Sequence, residues 1–85
     1  MKKQKYVVVV TYDPNKIDRD LVQDAFDMLD HDGGGYCFVT GLRDEFFYSN
    51  GPILRSKFQS IVRNLRRRKG VDQVSVRVDD YVECE

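Results

Sequence analysis

Apolar and polar positions along the chain change period five times, and each change predicts an element. Val7 to Val10, flanked by Tyr6 and by Thr11-Tyr12, is an unbroken β-branched run. Each valine loses χ1 freedom in a helix, so the run predicts a strand buried on both faces at the centre of a sheet. Asp13-Pro14-Asn15 ends it. Asn15 with Asp18 three positions on resembles a capping box and predicts a helix to about His31, with Ile17, Leu21, Val22, Ala25, Phe26, Met28 and Leu29 on its inner half. Asp32-Gly33-Gly34-Gly35 is read as the end of that helix, because glycine accepts the left-handed C-cap conformation. Tyr36 to Leu42 predicts a second strand and Phe46 to Ser49 a third, with Arg43-Asp44-Glu45 as the turn between them.

Asn50-Gly51-Pro52 breaks the hairpin and leads into a second helix over 53–69, whose apolar stripe is Leu54, Phe58, Ile61, Val62 and Leu65. After Gly70 the last strand alternates, with Val74, Val76 and Val78 on one side and Ser75 and Arg77 on the other. The strand is expected over Val71 to about Val78, and Asp79 to Glu85 is a tail that extends it. The order βαββαβ predicts an α+β fold of the ferredoxin-like, split-βαβ kind: a four-stranded antiparallel sheet with two helices on one face, over residues 1–85 as a single domain. Such a sheet leaves one face bare, which predicts a homodimer covering several tyrosines and phenylalanines.

Composition adds limits. With 85 residues, 41% of them hydrophobic, the chain supports one small core. The 14 basic and 14 acidic residues cancel, so no whole-molecule field draws nucleic acid or an anionic membrane. Met1-Lys-Lys-Gln-Lys opens like a secretion signal, but the following apolar run is too short and Asp13 and Asp18 follow it. No segment has membrane-spanning length. Cys37 and Cys84 fit reduced thiols in a cytoplasmic protein better than a disulfide framework.

The charge is unevenly placed, and that changes the picture. Residues 53–69 hold seven basic residues and no acidic one, a net charge of +7. On the helical wheel Arg55, Arg63, Arg66 and Arg67 share one face beside the apolar stripe, which is either a phosphate-contacting surface for RNA or DNA or a solvated face whose basic end complements the helix dipole. On the first helix Asp20, Asp24, Asp27 and Asp30 share the outer half, an acidic surface fit for a basic protein partner. The strand aromatics admit base stacking, yet about half must enter the core.

Individual candidates for chemistry are few. His31 between Asp30 and Asp32 invites a metal or acid/base reading, against which stands a helix-end histidine facing the dipole. Gly33-Gly34-Gly35 lacks the Lys and Ser or Thr of a phosphate loop. Cys37 in mid-strand reads as core. Asp13, ending the central strand, is the candidate catalytic and metal-binding residue if two protomers share a divalent cation; otherwise it caps the following helix.

Val7 to Pro14, the aromatic strand Phe46-Phe47-Tyr48-Ser49 and Val74-Ser75-Val76-Arg77-Val78, with a helix before and after the aromatic strand, resemble the small CRISPR-associated nuclease-like proteins of the adaptation machinery and the related virulence-associated protein D toxins. That resemblance implies a ferredoxin-like homodimer, with Asp13 matching the proposed metal-binding aspartate. It implies either a nuclease using Mg²⁺ or Mn²⁺, or a scaffold that grips nucleic acid without a cofactor. The alternative of a different class is a non-enzymatic protein-interaction module, for instance a phage or mobile-element regulator, working through Asp20, Asp24, Asp27 and Asp30.

Overall fold

A computed structural model of the chain describes residues 3–49 and 51–79. The valine run lies in a ten-residue strand, β1 (Lys3–Tyr12). Along one edge β1 pairs antiparallel with β3 (Arg43–Tyr48), with Val8 opposite Phe47 and Val10 opposite Glu45. Along its other edge it pairs antiparallel with β5 (Val71–Asp79), with Val8 opposite Val76 and Val10 opposite Val74. β2 (Asp30–Tyr36) adds to the outer edge of β3, and a two-residue β4 (Ile53–Leu54) pairs with Lys3 and Gln4. With α1 (Arg19–Ala25) and α2 (Arg55–Arg66), the protein is α+β, an antiparallel sheet with two helices. β4 is a fifth strand that the periodicity did not call for.

Period-two burial decides which face carries the core. Tyr6, Val8, Val10 and Tyr12 of β1 are buried, together with Phe47 of β3 and Val74 of β5. Val22 of α1 and Phe58, Val62 and Leu65 of α2 close over them. The rings interlock: Tyr6 stacks on Phe58 with centroids 3.7 Å apart, and Phe26 touches both Phe47 and Phe58. Removing apolar area from water at this layer is the main favourable contribution to folding. On the opposite face Val7 and Val9 are half-buried, while Phe46 and Tyr48 remain 40% and 41% exposed. The molecule measures 47 × 21 × 17 Å along its principal axes, with a Cα radius of gyration of 13.4 Å.

Four expectations need correction, three between residues 15 and 45 and one at the ends of the second helix. The first helix is one of seven residues and stops at Ala25; Phe26 leaves the helical region (φ −111°, ψ 40°). The chain must cross to the sheet by Asp30, which pairs with Tyr48, so no room remains for a helix to His31. Its N-cap is Asp18, with no side-chain cap bond, and Asn15 instead sits in a turn in which Lys16 and Ile17 donate to the Asp13 carbonyl. Asp20 and Asp24 are therefore the helical pair, while Asp27 follows the helix and Asp30 lies on β2, so the four do not form one acidic helix face.

The glycines come second: Gly33 to Gly35 lie inside β2 and cap nothing. Gly33 takes φ 94° where the register slips between His31 and Gly34, a bulge that only glycine accepts without strain. At Gly34 a Cβ would come 2.2 Å from the Asp44 carbonyl oxygen, so the strands could not close over any side chain there. Third, Arg43-Asp44-Glu45 is strand, because its charges find partners across the sheet: Thr11 donates to Asp44 at 2.7 Å, and Glu45 is treated below. The hairpin turn is instead Cys37 to Leu42, closed by Cys37 N–H to the Leu42 carbonyl and Gly41 N–H to the Cys37 carbonyl, and Cys37 is exposed, not core. Fourth, α2 starts at Arg55 and ends at Arg66, since Ile53 and Leu54 are drawn into β4. Asn50, the tail over 81–85 and Cys84 lie outside the described residues.

Candidate functional site

The chemistry-bearing constellation sits where β1, β2 and β3 end together under the first residue of α1. Glu45 points inward from β3 at a position whose neighbours on that face, Val10 and Phe47, are core, and its side chain is wholly buried. A buried carboxylate is tolerated only when its oxygens are paired. Here they are. Oε1 accepts from the Tyr12 hydroxyl at 3.0 Å and from Arg43 Nε at 3.1 Å, and ion-pairs with Arg19 Nε at 3.0 Å. Oε2 meets His31 Nε2 at 2.5 Å. Each partner is delivered by a different element: Tyr12 by β1, Arg19 by α1, His31 by β2 and Arg43 by the position two before Glu45. Gly34 lies directly opposite Glu45, and a Cβ there would reach Glu45 Oε2 at 2.7 Å, so the absent side chain makes space for the carboxylate.

These contacts set the ionisation. Burial alone would raise the Glu45 pKa, but hydrogen bonds from His31, Arg43 and Tyr12 and the charge of Arg19 outweigh it and hold the carboxyl below its ordinary value. Tyr12 moves the other way. Burial, followed by its bond to the Glu45 carboxylate and that carboxylate's charge, pushes the phenol up to about 12. Glu45 is therefore an anion at neutral pH, and Tyr12 is a neutral donor to it.

A second cationic region lies on α2. Arg63, Arg66 and Arg67 line an open groove of about 370 Å³ with Gln59 and Val62. An adjoining groove of about 350 Å³ runs over Gln4, Tyr6, Arg55, Gln59, Arg66, Val76 and Val78. Arg66 is anchored by an Nη bond to the Val74 carbonyl at 2.8 Å, which fixes one guanidinium over β5. The structure thus brings Arg55, Arg63, Arg66 and Arg67 to one side of the molecule, and among the described residues no carboxylate lines either groove.

Asp13 is occupied locally. Its Oδ1 accepts the Asn15 N–H at 2.9 Å and its Oδ2 lies 4.0 Å from Lys16 Nζ, while its own N–H donates to the Gly70 carbonyl. It borders a shallow depression of about 190 Å³ that also holds Lys16 and Asp72. Among the described residues no group of three or more His, Cys, Asp or Glu side chains is placed to hold a metal ion. The donor set of this protomer does not fit a divalent cation at Asp13, and no step is routed through one.

Sequence reasoning missed Glu45, Tyr12, Arg19 and Arg43 as a group and put His31 on a helix end. The available signal was the alternation Arg43, Glu45, Phe47, which places an acid between an arginine and a core phenylalanine on one strand face. No described helix is long and apolar enough to cross a membrane. No family model, no curated protein and no solved structure matches the chain.

Proposed function

We propose that this is a small nucleic-acid-associated protein of ferredoxin-like topology that acts as a homodimer and grips phosphate backbones through the arginine face of α2. One observation carries the reading: Arg63, Arg66 and Arg67 line a single open groove in which, among the described residues, no carboxylate neutralises them. Guanidinium forks without an acidic partner are matched to phosphate oxygens, and the counterions they release on contact give binding a steep salt dependence. Second-copy pairing is favoured by the bare sheet face, where Phe46 and Tyr48 stand exposed beside Val7 and Val9. A nuclease form through Asp13 with Mg²⁺ or Mn²⁺ would require ligands from a second protomer. The acidic-surface alternative loses its basis, because Asp20, Asp24, Asp27 and Asp30 are divided between a helix, a turn and a strand.

The test is a titration of the full chain with RNA and with duplex DNA at two salt concentrations. Binding is expected to weaken with salt, and the paired change Arg63→Gln with Arg67→Gln is expected to lower the slope of log affinity against log salt by about 2. Binding that ignores both salt and this pair of substitutions would sink the reading.

A further inference from the structure

His31 is held through one nitrogen only. Its Nε2 faces Glu45 Oε2, and an ionised carboxylate can only accept, so Nε2 carries the hydrogen. In the neutral ring the basic nitrogen is then Nδ1, which has no protein partner among the described residues, on a side chain 29% exposed. A buried anion behind an imidazole fixes its tautomer and its orientation. Arg19 and Arg43 each use Nε on Glu45, and their Nη donors meet no other acid among the described residues, on side chains 48% and 32% exposed. Within this cluster two guanidiniums face one carboxylate, and their Nη donors suit an anion such as a phosphodiester, with Asp30 and Asp32 the acids nearest His31 along the chain.

Next to this anion site the structure exposes rings that the core does not use. Tyr36 pairs with Arg43 across the β2–β3 ladder, on the face that carries Glu45, and is 49% exposed. Phe38 is 91% exposed and meets Tyr36 edge-on with centroids 5.4 Å apart. Exposed aromatics beside paired arginines fit unstacked bases on a phosphate backbone.

We infer that His31, carried by Glu45 and flanked by Arg19 and Arg43, is the acid–base centre of a metal-independent transesterification of single-stranded RNA. Nδ1 takes the proton of a ribose 2′-hydroxyl, and the freed oxygen attacks the adjacent phosphorus. The bond from phosphorus to the 5′-oxygen breaks, and the imidazolium returns its proton to that oxygen. The products are a 2′,3′-cyclic phosphate end and a 5′-hydroxyl end, with no water, metal or redox partner consumed. The Arg19 and Arg43 Nη groups stabilise the charge that develops on the non-bridging oxygens. The inference shares its ligand class with the α2 proposal but not its residues: α2 flanks β5, whereas His31 stands on β2.

The experiment incubates the full chain with an end-labelled single-stranded RNA in EDTA and reads the ends by mass spectrometry. Cyclic phosphate ends are expected from RNA, and none from its 2′-O-methyl counterpart or from DNA of the same sequence. His31→Asn should lower the rate by about 100-fold or more. Since the chain has one histidine, its imidazole NMR signals are unambiguous in the unmodified protein. They should report the Nε2–H tautomer and shift on adding millimolar inorganic phosphate. RNA that is bound but left intact overturns this inference and leaves the α2 reading standing. Cleavage that survives His31→Asn, or that occurs in the 2′-O-methyl strand, also overturns it.

Discussion

Arginine is used in two opposite ways on this small domain. Arg19 and Arg43 converge on a buried carboxylate and are held within the fold, whereas Arg63, Arg66 and Arg67 line a groove that holds no acid among the described residues. Only the second lies in a basic stretch of sequence, and only the first is tied to stability. A guanidinium over a buried anion is part of the core's electrostatics, and removing it leaves the buried carboxylate short of a partner. A guanidinium over solvent contributes little until an external anion arrives.

The sharpest way to break the comparison is Glu45→Ala. It leaves two guanidiniums and an imidazole facing a vacated buried site and is expected to destabilise the fold by about 3–5 kcal/mol, read by urea unfolding. Gly34→Ala comes next, because a Cβ 2.2 Å from the Asp44 carbonyl forces β2 away from β3. A loss of about 2 kcal/mol is expected, together with a weaker His31–Glu45 contact visible in the histidine NMR signals.

Titration separates the regions by pH. Tyr12 has its pKa raised by folding, so it contributes stability that is complete below about 10 and is lost as pH rises through about 12. Glu45 has its pKa lowered, so its contribution is complete above the ordinary carboxylate range and is lost as pH falls through the depressed value. Thermal unfolding against pH should therefore fall at both extremes, and Tyr12→Phe should remove Tyr12's part of the alkaline limb while keeping the acid one. The smallest effect on stability belongs to Arg63→Gln with Arg67→Gln, expected within about 0.5 kcal/mol of the parent. If that pair unfolded the protein, the division between anchored and open arginines would collapse.

Elements whose period is unmistakable were legible in the sequence. Val7 to Val10 marked β1, Val74 and Val76 marked β5, and Phe58, Val62 and Leu65 marked the buried stripe of α2. β2 was illegible for a physical reason. Asp30-His31-Asp32-Gly33-Gly34-Gly35 has almost no intrinsic strand preference, and it becomes a strand because Gly33 permits a bulge and Gly34 permits close approach to β3. The helix before it was overextended because Phe26 and Leu29 continue the helical period, although they enter the core from the crossing that leads to β2. The Glu45 constellation was hidden because its members lie far apart in sequence: Tyr12 is 33 positions away and His31 14. Once β2 was misplaced, His31 had no route to Glu45. The arginine face of α2 needed no tertiary pairing, so the helical wheel alone placed it.

The 47 Å length against widths of 21 and 17 Å bears on how self-association must be weighed. A chain of 85 residues folded to ordinary compactness has a radius of gyration of about 12 Å, and this one reaches 13.4 Å. Such a rod-like particle suffers extra friction, so it elutes early from a sizing column and diffuses slowly. A monomer would then elute ahead of a sphere of its own mass, and an elution volume by itself would overstate its mass. Sedimentation equilibrium, in which drag cancels and only buoyant mass remains, is the measurement that separates a 10.0 kDa chain from its pair.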